Sequence, residues 1–233
     1  MKKIYAAIIF VFASSTMNAQ DFQDHFFSSY GWGLDFGAGP GQVYCPVYSP
    51  ELGDSACFAF QNKYVGISMG FEPRYNLYEP SDNMAISLKA KPTLNILFGE
   101  GLLGIYLPIG LGFEVGNGST YKSESNVGFT FTAGYSLNFN PLIRTGDIFE
   151  QAKMYKVDLK TNWGSPYIAA GVRYWSGQNK LREVNILYGF GGGSNDVLPS
   201  NADYYGVENN LDDGKDFKSS YMLCISYTIY MNY

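Results

Sequence analysis

Side chains able to do acid–base chemistry are scarce in this sequence of 233 residues. The only histidine is His25, in the polar segment QDFQDHFF near the amino terminus. Hydrolases and acyltransferases commonly pair a histidine base with a serine or cysteine nucleophile and a carboxylate. His25 precedes every structured segment that the sequence predicts, and no such pattern surrounds it. We therefore predict that the protein is not an enzyme and has no catalytic residue.

Three stretches match ligand-binding motifs only in part. Residues 99–104 fit G-x-G-x-x-G, but that motif binds phosphate where a helix follows, and here a strand pattern follows. The glycines at 191–193 lack the lysine of a P-loop. The carboxylates of Asp212, Asp213 and Asp216 are spaced unlike those of a calcium-binding loop. We predict no cofactor and no metal site.

The chain has three cysteines. Cys45 and Cys57 share one segment rich in glycine and proline, whereas Cys224 stands alone near the carboxyl terminus. In an oxidising compartment Cys45 and Cys57 could close a loop as a disulfide, and two free thiols are the alternative.

The first 19 residues have the composition of an export signal. Lys2 and Lys3 precede an apolar stretch at 4–13, and a polar stretch containing Ala19 follows. The apolar stretch is too short for a membrane-spanning helix, which needs about 20 residues. We predict a cleaved signal peptide at 1–19 and one exported domain at 20–233.

The composition of the exported part is unusual for a soluble domain. The sequence holds 20 Tyr, 17 Phe and 27 Gly, and only 16% of its residues are charged, against about 25% in soluble proteins. The net charge of −5 argues against nucleic-acid binding, which needs a basic surface. We infer a β-protein whose apolar surface faces lipid.

Alternation of apolar and polar residues is the strongest pattern. From Tyr221 to Tyr233 every second residue is apolar or aromatic, so one face of a strand there would be wholly apolar. Seven further segments repeat the pattern, and most reach the roughly 9–11 residues that a membrane-spanning strand needs. These segments predict an all-β, antiparallel, up-and-down transmembrane β-barrel of eight strands. Ten strands is the alternative, because Tyr155, Val157 and Leu159 also alternate.

The connections predict an orientation with both chain ends in the periplasm. Two short connections, near 78–83 and 178–182, suit periplasmic turns, whereas 116–125 is longer than such turns usually are. Pro92 and Pro108 fall almost opposite each other in one hairpin, where we expect a local distortion. Long outer loops are predicted near 39–63, 139–165 and 191–219.

Aromatic residues should mark both membrane interfaces. The group predicted at periplasmic strand ends is Tyr30, Trp32, Tyr75, Trp175 and Tyr233, and the group predicted at outer ends is Phe98, Phe139, Trp163 and Tyr221.

The polar face of the strands would line the lumen. Its charged residues are Asp35, Glu72, Arg74, Lys89, Lys91, Glu114, Arg173 and Glu183. Eight strands leave an interior that side chains can fill, and buried charges must be paired. The four acids and four bases predict a structural salt-bridge plug, with a binding site or an ion pathway as the alternative.

The chain resembles the small OmpA/OmpX-type outer-membrane barrels, including the Tyr-rich versions common in Bacteroidetes. The residues that carry the resemblance are the Lys-Lys signal peptide, the eight alternating segments and the terminal strand YMLCISYTIYMNY. The resemblance implies the outer membrane of a Gram-negative cell as the location. It also implies insertion by the barrel-assembly machinery through the last strand, and contact with outer-membrane lipid and lipopolysaccharide. It is a resemblance of pattern, which implies fold more than activity.

Three functions remain open at this point. The first is a non-enzymatic barrel with a plugged lumen, acting structurally, in surface interaction or as a subunit of an envelope complex. The second is a narrow, porin-like pore or a channel for small hydrophobic molecules. The third is a soluble secreted barrel that binds a ligand, with its apolar face inside. The first function predicts that Ile225→Arg blocks membrane accumulation and that Ser226→Arg is milder.

Overall fold

The computed structural model describes residues 23–44, 58–99, 101–144, 162–176, 180–191, 216–217 and 221–231. Almost all of them are β-structure. Several residues named above lie outside the described residues. They include the predicted signal peptide, Cys45, Cys57, Asp212, Asp213 and Tyr233. The strands are β1 Phe26–Tyr44, β2 Phe58–Ser81, β3 Met84–Ala90, β4 Thr93–Gly99, β5 Gly101–Gly116, β6 Val127–Arg144, β7 Asn162–Trp175, β8 Leu181–Phe190, β9 Asp216–Phe217 and β10 Tyr221–Tyr230.

The strands form a closed antiparallel ring. β5, β6, β7 and β8 pair in succession, β8 pairs with β10, and β1 pairs with both β2 and β10, which closes the ring from Ser29–Tyr230 to Ala38–Tyr221. β3 and β4 both pair with β2 and β5, so together they occupy one position. The ring of described strands therefore has eight positions, and the direct pairing around it leaves no place for another strand. This confirms the predicted fold class.

The proline pair interrupts one strand without changing its register. β3 ends at Ala90 and β4 begins at Thr93. Across this break the Lys91 amide donates to the Pro108 carbonyl at 3.0 Å. Ala90 stands opposite Ile109 and Thr93 opposite Tyr106, which is one continuous register. The expected distortion is therefore a local gap rather than a bulge.

The two ends of the barrel differ. We call one end of the barrel the base and the opposite end the rim. The base holds the start of β1, the end of β10, the turns at 82–83 and 117–126, and the connection at 176–180. At the rim, β1 and β2 remain paired from Gly41–Gln61 to Tyr44–Phe58, and β9 pairs with β1. β6 continues to Arg144.

The predicted loops at 39–63, 139–165 and 191–219 were therefore too wide. Strand pairing continues at both sides of the first loop, and β6, β7 and β9 extend into the other two. The physical reason is that strands leaving the bilayer no longer need one apolar face. The alternation ends there although the hydrogen bonding continues.

The apolar face of the strands points outward. Phe129, Phe131 and Ile225 are 56%, 51% and 42% exposed, whereas the residues that alternate with them along each strand are buried. The outward face changes from even numbers in β4 to odd numbers in β5. A soluble barrel with its apolar face inside does not fit this arrangement. No helix among the described residues is long and apolar enough to cross a bilayer.

The described members of the two aromatic groups lie at opposite ends, as predicted. Trp175 ends β7 at the base, and Tyr75 stands opposite Phe26 at the start of β1. Phe98, Trp163 and Tyr221 lie toward the rim ends of β4, β7 and β10. Trp163 does not face the lipid, however, because odd positions of β7 face inward and its ring packs against the buried cluster there.

Candidate functional site in the barrel lumen

Seven of the eight predicted lumen charges gather in the half of the barrel nearest the base. Their side chains occupy inward positions of β2, β3, β5, β7 and β8, with Lys91 between β3 and β4. All but Lys91 are at most 5% exposed as residues, and the Lys91 side chain is 15% exposed. Asp35 lies apart from them. The seven are Glu72, Arg74, Lys89, Lys91, Glu114, Arg173 and Glu183.

Glu114 is the centre of this cluster. Its carboxylate lies 3.6 Å from Arg74 Nη1 and 3.5 Å from Lys89 Nζ, and it also pairs with Arg173. The Ser87 hydroxyl donates to it at 2.8 Å. Glu114 is completely buried, so its charge is stabilised by these neighbours rather than by water.

Gly112 makes room for these contacts. A Cβ atom at this position would stand 2.5 Å from Glu114 Oε1 and 2.8 Å from Lys89 Cδ. The glycine therefore allows the lysine to cross β5 and reach the carboxylate.

Two further carboxylates extend the network across the lumen. Glu72 lies 3.1 Å from Lys89 Nζ and 3.8 Å from Lys91 Nζ. Glu183 lies 3.6 Å from Arg173 Nε and accepts a hydrogen bond from the Tyr230 hydroxyl at 2.8 Å. The ion pairs thus run from β2 on one wall to β8 on the other.

The turn at 117–126 folds into the base of the barrel. Its Gly118 carbonyl accepts hydrogen bonds from Arg74 Nη2 at 2.6 Å and from Arg173 Nη1 at 2.5 Å. Asn117 and Ser119 are fully buried. Gly118 has a φ of 69°, a conformation that favours glycine. The turn is longer than usual because it enters the lumen.

The strand at the amino terminus holds the same turn in place. The Tyr121 ring stacks on the Phe27 ring at 4.3 Å, and its hydroxyl donates to the Phe26 carbonyl at 2.7 Å. Asn76 Nδ2 donates to the Ser119 carbonyl at 2.7 Å. The sequence did not reveal this placement. The pair of glycines at 116 and 118 was the available signal, because both take positive φ values.

The half of the lumen nearest the rim contains a layer of aromatic and apolar side chains, with buried polar residues such as Asn138 and Ser165 beside it. This corrects the expectation that polar residues alone line the lumen. Trp163 covers this layer, and a Cβ at Gly39 on the far wall would lie 3.2 Å from its ring. The buried members of this aromatic layer are Tyr64, Leu97, Tyr106, Tyr167, Ala169, Leu187, Met222 and Cys224.

Asp35 lies at the level of the aromatic layer, so its assignment to the ion-pair network was wrong. It is fully buried, and neither carboxylate oxygen has a hydrogen bond of regular geometry. Its polar neighbours are Ser68 and the free thiol of Cys224. The parity of β1 turns Asp35 inward, but its height leaves it without an ion pair among the described residues, and Lys91 acts on its charge only from a longer distance.

A cavity of about 20 Å³ lies between the charged cluster and the aromatic layer. Glu72, Lys91 and Tyr167 are among its lining residues. This volume holds about one water molecule.

His25 lies at the base, outside the lumen. Its Nδ1 atom is 3.0 Å from Glu79 Oε1, and its ring packs edge-on against Tyr75 at 6.2 Å. Glu79 also accepts a hydrogen bond from Asn76 at 2.6 Å. These contacts tie the start of β1 to the end of β2. Among the described residues no three His, Cys, Asp or Glu side chains form a group suited to a metal ion.

A closed antiparallel ring, a continuous apolar outer face and a filled polar base together define the class of this protein. It is a transmembrane β-barrel of the outer-membrane type, because only a closed barrel satisfies every backbone hydrogen bond of strands in lipid.

Comparison with known proteins finds likenesses among solved structures only. No family model and no curated protein matches the sequence. The attachment invasion locus protein Ail of Yersinia pestis is 12% identical, with 89% of this chain and 99% of Ail covered and a TM-score of 0.36. Neisserial surface protein A is 10% identical, with 87% and 97% covered and a TM-score of 0.38. The architecture of this chain rests on its own strand pairing.

Proposed function

We propose that this chain resides in the outer membrane of a Gram-negative cell as a non-conducting, non-enzymatic barrel. It acts structurally, in surface interaction or as a subunit of an envelope complex, through the strands and connections at its rim. The observation that carries the proposal is the filled lumen. Three successive layers close it: the 117–126 turn, the ion-pair cluster around Glu114 and the aromatic layer under Trp163.

The energetics of the charged layer argue against conduction. A passing ion would have to displace partners that are themselves buried, such as Glu114 and Arg173, both 0% exposed. Separating a buried ion pair leaves uncompensated charge in a region of low dielectric, which costs several kcal/mol, about 3–5 for one partner removed. The lumen residues therefore stabilise one another rather than a permeant ion.

The rim supports a role in contact with other molecules. The paired ribbon of β1 and β2 continues beyond the level at which β8 and β10 end, and β9 adds a third strand beside β1. A hydrogen-bonded ribbon holds its exposed backbone in a fixed conformation, which suits a surface for recognition. A channel for small hydrophobic molecules is the second candidate. The apolar layer near the rim favours it, although its side chains are packed against one another.

The proposal predicts that the purified protein shows no steady conductance in planar lipid bilayers. Glu72→Ala should also be silent while lowering the unfolding temperature, because it removes one of the two carboxylates that pair with Lys89 but leaves the aromatic layer and the turn intact. Conductance is recorded for both proteins under the same voltage and salt. Stable, ion-selective currents from the unmodified protein would contradict the proposal and support a pore. A current from Glu72→Ala alone would show that the ion pairs are the only barrier.

A further inference from the structure

Arg182 is a strand cation on the outward, lipid-facing side of the barrel. The positively charged strand residues with described ion pairs are Arg74, Lys89 and Arg173, and all three point into the lumen. Arg182 of β8 instead shares the outward face with Val184 and Ile186, since the residues between them are buried. A charge on this face is costly in the hydrocarbon but not at the interface.

The height of Arg182 places it at that interface. It stands opposite Tyr174 of β7 and Ile229 of β10. The next pair toward the base, Trp175 with Leu181, is the last before the turn at 176–180. Arg182 is therefore one residue from the end of the hairpin, at the level of the aromatic residues that mark the boundary of the bilayer.

Arg182 lies beside aromatic rings. Its guanidinium lies 5.8 Å from the Tyr227 ring, which in turn lies 6.0 Å from the Trp32 ring. Its Nε atom is buried and has no hydrogen-bond partner among the described residues. Lys180, two positions earlier in the chain and next to the start of β8, is exposed. Two cations therefore lie close in sequence at this end of the barrel.

We propose that Arg182 and Lys180 bind the phosphate of a glycerophospholipid in the periplasmic leaflet. Guanidinium groups bind phosphate through two parallel hydrogen bonds, and a second cation strengthens that contact. The aromatic rings hold the guanidinium at headgroup level, where such phosphates lie. The inference rests on the proposed outer-membrane location, since the orientation with both chain ends in the periplasm assigns the leaflet.

The test is native mass spectrometry of the folded protein in detergent, titrated with phosphatidylglycerol or with diacylglycerol of the same acyl chains. The unmodified protein should retain phosphatidylglycerol and release diacylglycerol, which lacks the phosphate. Arg182→Gln should weaken phosphatidylglycerol binding about five- to tenfold, since it removes a charge-assisted hydrogen-bonded pair. The phosphatidylglycerol affinity of Arg182→Lys should lie between those of the unmodified protein and Arg182→Gln.

Lys122→Gln is the matched control. It removes one exposed cation at the same end of the barrel, in the 117–126 turn rather than beside the aromatic rings. Binding should equal that of the unmodified protein. Unchanged binding by Arg182→Gln, or an equal loss in Lys122→Gln, would overturn the proposed site. The proposed site would also be overturned if the binding of lipid A depended on Arg182 as strongly as the binding of phosphatidylglycerol does, because that result would assign the site to the other leaflet.

Insertion of each variant into lipid vesicles is measured separately, by its migration before and after boiling. If Arg182→Gln inserts normally and loses no phosphatidylglycerol binding, this inference is contradicted and the outer-membrane proposal is unaffected. An unmodified protein that never inserts contradicts both.

Discussion

Replacing Glu114 by glutamine lowers the free energy of unfolding by about 3–5 kcal/mol, the usual cost of removing one partner from a buried ionic group. The substitution keeps the size of the side chain and removes only its charge. Arg74, Lys89 and Arg173 then share a buried space without their common carboxylate. Lys89 still pairs with Glu72 and Arg173 still pairs with Glu183, but Arg74 loses the one carboxylate with which it pairs among the described residues.

The loss is measured by urea titration of the protein folded in lipid vesicles, following the change in electrophoretic migration. Ser87→Ala is the control, because it removes one hydrogen bond to the same carboxylate at 2.8 Å. It should cost about 1 kcal/mol. If Glu114→Gln costs no more than Ser87→Ala, the carboxylate is not the centre of the cluster.

Arginine in place of Ile225 prevents accumulation in the membrane. Ile225 is 42% exposed on the outward face and pairs with Leu34 and Ile186 in the middle of the apolar belt. A cation near the bilayer midplane costs about 2–4 kcal/mol, falling to about 0–1 at the interface. Met231 lies on the same outward face beyond the end of β10, so Met231→Arg should accumulate normally.

Membrane fractionation of cells expressing each variant checks this expectation. Equal amounts of both variants in the membrane fraction would contradict the assignment of the outward face to lipid. The sequence suggested Ser226→Arg as the milder comparison, and the structure rejects that choice. Ser226 is buried and its hydroxyl accepts a hydrogen bond from Lys91 Nζ at 2.7 Å. An arginine there would bring a second cation against the lysine.

The strands were predictable because lipid requires a continuous apolar face. Within the bilayer every second residue of β6 and β10 must be apolar, and this period is visible without any structure. The parity of each strand then assigns residues such as Glu72 and Glu114 to the lumen. Where the strands leave the bilayer the requirement ends, so the extent of β1 and β2 beyond Ala38 and Tyr64 could not be read from the pattern.

The lumen was only partly predictable because parity gives the direction of a side chain and not its height. Asp35 has the same inward direction as Glu72, yet among the described residues only Glu72 of the two forms ion pairs with the lysines. The same limitation concealed the aromatic layer, because Tyr64 and Tyr106 are inward residues of a type that lipid also accepts. The entry of the 117–126 turn depends on contacts between distant parts of the chain, such as Arg74 with Gly118.

The carbonyl of Gly118 also bears on what holds the barrel closed. It is shared by Arg74 from β2 and Arg173 from β7, while the turn that carries it joins β5 to β6. No contiguous half of the chain contains all three groups together with Glu183 and Tyr230, so an unclosed sheet leaves charged hydrogen bonds unmade. These interior contacts are complete in the closed ring, in which β1 pairs with β10. The lumen thus stabilises the closed barrel from within, in addition to the lipid around it.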